Sequence, residues 1–218
     1  MENLSLFIAS LGFLLLHFVS ATNLRAAMVN KYGLGAWMGI FSLFSLGFFS
    51  WMTLEYLQAN RFEDLWVMPD YWLWMNAALM FVAFAFIVLG NIPDKDAKLG
   101  KGIFAITRHP SNWGVAIFAL AHMVSNGSIE AQMFWGSLFG SAVVGSYFLD
   151  NRKIREGSVR WQNSAENSSW LPFLAIAQGR TRLTHADFKL VPVIGAVSFW
   201  FLAMIVHVGF FGTYILPL

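Results

Sequence analysis

The sequence predicts an all-α fold, a polytopic bundle of about six transmembrane helices. Of its 218 residues, 57% are hydrophobic and only 12% are charged, whereas soluble domains are about 25% charged. Several apolar runs reach the roughly 20 residues that a helix needs to cross a hydrocarbon core of about 30 Å. The predicted spans cover residues 4–21, 34–57, 71–90, 111–124, 129–149 and 191–215. Residues 1–218 are therefore expected to form a single integral membrane domain surrounded by the lipid bilayer.

Features at the ends of the apolar runs support individual spans. The run at 4–21 is predicted to be a retained span, since no basic residue precedes it and no Ala-x-Ala cleavage site follows it. Proline is favourable in the first turn of a helix, so Pro110 predicts the start of the fourth span. Aromatic residues flank the loop before the third span, where an interfacial belt is expected. They are Trp66, Tyr71, Trp72 and Trp74.

The distribution of positive charge predicts the orientation. Three polar segments, 22–33, 91–110 and 150–190, carry 13 of the 14 Lys and Arg residues. With six alternating spans these segments fall on one side, which the positive-inside rule makes the cytoplasm. Both termini are then on the non-cytoplasmic side. The basic residues are thus interpreted as topology signals, and no nucleic-acid partner is expected.

The segment 150–190 is the only long polar region between spans. It contains apolar residues that argue against free disorder, among them Trp161 and Trp170. We expect it to fold back against the bilayer or the bundle, for example as an interfacial helix. Glycines four residues apart, such as Gly35 with Gly39 and Gly140 with Gly136, are typical of close helix packing.

Histidines inside apolar runs are candidate functional residues, because ionisable groups are costly in hydrocarbon. From the inner ends of their spans, His17, His122 and His207 lie roughly 8, 16 and 24 Å deep at 1.5 Å per residue. His17 and His122 are the preferred pair by depth. Two facing imidazoles in an apolar bundle suit a bis-imidazole haem. Each imidazole can equally hydrogen-bond a neighbouring carbonyl or serine, and spacing leaves both interpretations open.

The residues Thr107, Arg108 and His109 form a cluster of hydrogen-bond donors at the inner membrane boundary. Such a cluster can bind a carboxylate or phosphate, such as a haem propionate or the carboxylate of another cofactor. The alternative is that Arg108 extends toward lipid phosphate. The chain has no cysteine, which excludes disulfides, thiolate metal sites and thiol nucleophiles.

The ordered motifs "GIFAITRHPSNWGVAIFALAH", "DNRKIREGSVRW" and "SSWLPFLAIAQGR" resemble the NnrU family over nearly the whole chain. These bacterial membrane proteins were named from denitrifiers and are related to plastid zeta-carotene isomerases. The resemblance implies haem b, metal binding by His17 and His122, and a bacterial inner-membrane location. It also implies a redox or nitrogen-oxide role, or isomerisation of an apolar polyene. Ala119 stands where the plastid relative has an alternative cysteine ligand, so a cysteine-for-histidine ligand exchange is impossible here.

A more distant resemblance is to isoprenylcysteine carboxyl methyltransferases, which share Arg-His-Pro at the start of a helical hairpin. It implies S-adenosylmethionine as the cofactor and methyl transfer to a lipophilic acceptor. Asp150 and Arg152 stand where those enzymes have an acidic pair, but Asn151 interrupts it. A third alternative is a non-catalytic membrane factor for maturation of a respiratory enzyme. An apolar small molecule is the expected substrate in either enzymatic interpretation.

Overall fold

The computed structural model describes residues 3–20, 22–60, 64–92, 100–157, 159–184 and 187–211, and this part of the chain is all-α. Its helices are α1 (Leu4–Val19), α2 (Asn23–Gln58), α3 (Trp72–Asn91), α4 (Ile103–Ile106), α5 (Pro110–Ser125), α6 (Ile129–Arg155), α7 (Val159–Asn167), α8 (Leu174–Ala177) and α9 (Leu190–Phe211). The all-α prediction is confirmed.

Each predicted span overlaps one of the long helices α1, α2, α3, α5, α6 and α9. Helix α2 starts earlier than its predicted span and is kinked at Gly33, which has φ 86°. Glycine tolerates this left-handed backbone because it has no Cβ, and the kink coincides with the predicted span start at residue 34. Residues 212–215 of the last predicted span lie outside the described residues.

Three of the described helices are long and apolar enough to cross a membrane: α2, α3 and residues Leu190–Gly209 of α9. Helix α1 is also apolar but has only 16 residues. The protein is therefore an integral membrane protein. The count of six spans and the side of the termini stay predictions.

Helix α6 packs against α1, α2 and α5. Helix α1 runs parallel to it, since Asn3 bonds Glu130 near the start of both helices and Arg152 donates to the Ser20 carbonyl near their ends. Helix α5 runs antiparallel, with Gln132 donating to the Met123 carbonyl. Helices α2 and α3 pack on α1 and α5, respectively, and α9 packs on α3. These relative directions agree with alternating spans.

Apolar and aromatic side chains fill the interface of α1, α2 and α6. Its fully buried members are Leu6, Ala9, Phe13, Met52, Tyr56, Ala131 and Phe134. Gly140 packs against this interface, because a Cβ at Gly140 would lie 2.9 Å from Leu14 Cδ1. Gly35 and Gly39 have open space around them. The packing interpretation is thus confirmed for Gly140, and Gly35 and Gly39 make no close contact with the described helices.

The segment after α6 folds back onto the bundle, as predicted. The backbone N–H of Phe173 donates to the Ile106 carbonyl at 2.8 Å, and that of Arg108 donates to the Ser169 carbonyl at 2.9 Å. Trp170 donates from its indole to Ser146 Oγ of α6 at 3.0 Å. These bonds hold residues 168–173 against the end of α4, the start of α5 and the C-terminal half of α6.

The topology prediction can be checked without any cofactor. Reporter fusions are expected to place 91–110 and 150–190 in the cytoplasm and both termini outside, because the basic residues gather in alternate segments. Paired alkaline phosphatase and fluorescent protein fusions measure this directly. A fusion after Leu218 that reports from the cytoplasm would contradict the orientation or the span count.

Candidate functional site

The predicted donor cluster lies where α4 ends and α5 begins. Thr107 leaves α4 in an extended conformation, and His109 precedes the Pro110 that starts α5. The fully buried Thr107 donates to the Trp170 carbonyl at 2.8 Å. Its hydroxyl therefore holds the returning segment against the bundle.

The guanidinium of Arg108 is paired with a carboxylate of the protein itself. Its Nε and Nη2 donate to the two oxygens of Asp150 at 2.6 and 3.0 Å, and its Nη1 donates to the Ser168 carbonyl at 3.0 Å. This is the bidentate geometry that arginine favours with carboxylates. The side chains of Arg108 and Asp150 are only 11% and 8% exposed.

His109 completes this buried cluster. Its Nε2 lies 3.0 Å from Asp150 Oδ1, and its ring lies 5.4 Å from that of Trp161. Burial by itself would raise the pKa of Asp150, but hydrogen bonds from His109 and Arg108 outweigh burial and hold that pKa below its usual value. Thr107, Arg108 and His109 thus have partners within the protein, and their binding to a cofactor stays a prediction.

His17 lies in the last turn of α1. Its Nδ1 is 2.8 Å from the Phe13 carbonyl, so Nδ1 carries the donated hydrogen and Nε2 is left with the lone pair in the neutral ring. The imidazole packs against Phe13 and Phe41, with ring centroids 4.4 and 5.3 Å away.

His122 has the same hydrogen-bond pattern at the other end of the bundle. It lies in the last turn of α5, and its Nδ1 is 2.8 Å from the Phe118 carbonyl. The ring stacks on Trp135 at 4.2 Å. His207 is an electrostatic neighbour of His122.

The contacts with α6 show how His17 and His122 are placed relative to each other. His122 stacks on Trp135. His17 lies between Leu14, which meets Gly140, and Phe18, which meets Phe148. The backbone of His17 therefore lies beside a part of α6 that is five to thirteen residues beyond Trp135. At 1.5 Å per residue this is a displacement of about 8–20 Å along α6. The two imidazoles start from different levels of the bundle, and a continuous series of ring contacts connects them. It runs from His17 through Phe13, Phe49, Phe134 and Trp135 to His122.

Each imidazole has the chemistry of a haem ligand. Ligating histidines usually donate one ring N–H to a carbonyl or carboxylate, which fixes the tautomer and leaves the other nitrogen for the metal. Both His17 and His122 do this, and both have aromatic surroundings that suit a porphyrin. Within the described ranges, no group of three His, Cys, Asp or Glu side chains could hold a bare metal ion.

Sequence reasoning did not identify Asp150 as the partner of Arg108. Asp150 follows Arg108 by 42 residues, and no local pattern connects them. The signal that could have found the pair is the position of Asp150 at the C-terminal end of a long apolar run, where a buried acid needs a cationic partner.

Comparisons with known proteins identify the family of this chain. The model of the NnrU protein family matches residues 5–214. The chain is 30% identical over 96 residues to the chloroplastic 15-cis-zeta-carotene isomerase of Zea mays. That match covers 43% of this chain and 26% of the maize protein. No solved structure matches the chain. Since the family match spans nearly all of the helical bundle, this chain belongs to the NnrU family.

Proposed function

We propose that the protein is a haem b-binding membrane isomerase that acts on an apolar polyene, with His17 and His122 as the residues that would hold the haem. The single observation that carries the proposal is the shared hydrogen-bond pattern of the two histidines. In each, Nδ1 is bonded to the carbonyl four residues earlier, which directs the lone pair to Nε2. The similarity to a carotene isomerase supports the polyene as the substrate class.

The protein's own contribution is to orient the imidazoles and to exclude water. Trp135 stacks on His122, while Phe13 and Phe41 enclose His17. Aromatic walls of this kind also suit a long conjugated hydrocarbon, which has no polar group for a protein to bind. A haem iron supplies an electron-transfer or gas-binding centre whose properties depend on its axial ligands.

Alanine substitutions of the two ligands are expected to change the haem spectrum. The wild-type protein purified in detergent should show a six-coordinate, low-spin spectrum when oxidised and when reduced with dithionite. His17→Ala and His122→Ala should each convert or abolish it, because one axial nitrogen is lost. His207→Ala is the matched control and should leave the spectrum intact.

The results of these measurements distinguish the ligand assignment from the alternatives. Wild-type spectra in both ligand variants would contradict the ligand assignment. If His207→Ala changed the haem spectrum and His17→Ala did not, the second haem ligand beside His122 would be His207 on α9. Incubation with 15-cis-zeta-carotene, followed by chromatography of the isomers, tests the reaction. A haem-loaded protein that leaves several cis-polyenes unchanged would contradict the isomerase assignment and favour the redox or nitrogen-oxide role.

The methyltransferase alternative assigned Arg108 to the carboxylate of S-adenosylmethionine. The guanidinium instead makes a two-point contact with Asp150, so this contact does not favour that alternative.

A further inference from the structure

A second cationic cluster lies at the inner ends of α1, α2 and α6. Arg25, in the first turn of α2, places Nη1 3.7 Å from Glu156 Oε1. Arg152, near the end of α6, places Nε 3.6 Å from the same oxygen. Lys153 approaches the other oxygen of Glu156 at 3.1 Å. Three cations thus share one carboxylate.

Within the part of the chain that the structure describes, the three cations of this cluster are paired with a single carboxylate, that of Glu156. Glu156 is 40% exposed, whereas Arg25 and Arg152 are only 16% and 19% exposed. Among the described residues, Arg152 Nε is buried and has no hydrogen-bond partner. Burial and the charge of Arg25 lower the pKa of Arg152. A buried donor in a region of excess positive charge is stabilised by an anion that accepts from it.

We propose that Arg25 and Arg152 bind an oxyanion, a carboxylate or a phosphate, at the inner boundary of the bundle. Two sources share this chemistry: a propionate of the proposed haem, in which case the site rests on the proposed function, and the phosphate of an anionic phospholipid. The position relative to His17 suits the first source. Arg152 Nη1 donates to the Ser20 carbonyl at 3.3 Å, and Ser20 Oγ donates to the His17 carbonyl at 2.8 Å.

The sequence predicted that Arg108 binds a carboxylate or phosphate, and the structure favours Arg25 and Arg152 for this role. Both arginines lie at inner helix ends, but their partners differ. Arg108 has a bidentate carboxylate that is as buried as itself. Arg25 and Arg152 share a long contact with a carboxylate that faces solvent. Their guanidiniums therefore keep donors for a ligand.

The test compares Arg25→Gln and Arg152→Gln with Arg155→Gln. Arg155 is exposed on the same helix, so the control removes the same charge without touching the cluster. The first measurement is the rate of haem loss to apomyoglobin. The second is the retention of phosphatidylglycerol relative to phosphatidylcholine, measured by native mass spectrometry after reconstitution in nanodiscs of each lipid.

Each arm has a defined outcome. Haem loss that is about 10- to 100-fold faster in both cluster variants, with unchanged absorption maxima, identifies the propionate, since one charge-assisted contact is lost. Selective loss of phosphatidylglycerol identifies the phospholipid. If both variants behave like Arg155→Gln in both measurements, the anion site is wrong. A wild-type protein without haem would overturn the proposed function only, because the lipid measurement would still decide the anion site. If Arg152→Gln does not fold, the comparison of Arg25→Gln with Arg155→Gln tests the anion site by itself.

Discussion

Replacing Asp150 with asparagine is expected to lower the free energy of unfolding by about 3–5 kcal/mol, the usual cost of removing one partner of a buried ion pair. The Asp150 carboxylate accepts two bonds from Arg108 and one from His109. Asparagine is neutral, so Arg108 would remain buried without a counter-charge. Tryptophan fluorescence during denaturation of the detergent-solubilised protein measures the loss. Asp70→Asn removes the same charge from an exposed side chain and should change stability by less than about 1 kcal/mol.

The effect of Asp150→Asn should also depend on pH. Because the folded pKa of Asp150 lies below its ordinary value, its stabilising contribution is complete above the unfolded pKa of about 3.9. The contribution is lost as pH falls through the lower folded pKa. The difference between wild type and Asp150→Asn should therefore be constant near neutral pH and shrink in strong acid. A difference that is already small at pH 7 would show that the ion pair contributes little.

Substituting Gly114 with alanine is expected to destabilise the contact between α3 and α5 by about 1–3 kcal/mol. A Cβ on Gly114 would lie 2.7 Å from the Ala83 carbonyl oxygen and 2.9 Å from the Ile87 nitrogen. Both atoms belong to the α3 backbone, which cannot rotate away as a side chain can. The two helices would have to separate, which would move the part of α5 that carries His122.

The matched control for Gly114→Ala is Gly145→Ala on α6. A Cβ at Gly145 meets nothing within 4 Å, and alanine favours a helix over glycine by about 1 kcal/mol. The control should be neutral or slightly stabilising, while Gly114→Ala should lower the midpoint of thermal unfolding. Equal midpoints for the two variants would show that α3 and α5 can separate at little cost.

Secondary structure was predictable from the sequence because its signals are local. An apolar run of sufficient length must form a helix to satisfy its backbone in lipid, and the long helices follow the predicted runs closely. Pro110 marks the first turn of α5 as expected. The break before residue 34 coincides with Gly33. The return of the segment after α6 was also predictable, since its tryptophans need an apolar contact.

Tertiary structure decided which of these residues meet. A hydrophobic run predicts that a segment is helical. It does not determine how the helix is rotated about its axis or which of its residues lie beside those of other helices. The pairing of Arg108 with Asp150, the convergence of Arg25 and Arg152 on Glu156, and the separate levels of His17 and His122 all depend on that register. Depth counted from the helix start placed His122 roughly 16 Å in, and the structure adds that this position is the last turn of α5, which has 16 residues. Sequence alone thus determined the helices and the candidate chemistry, and helix packing determined the partners.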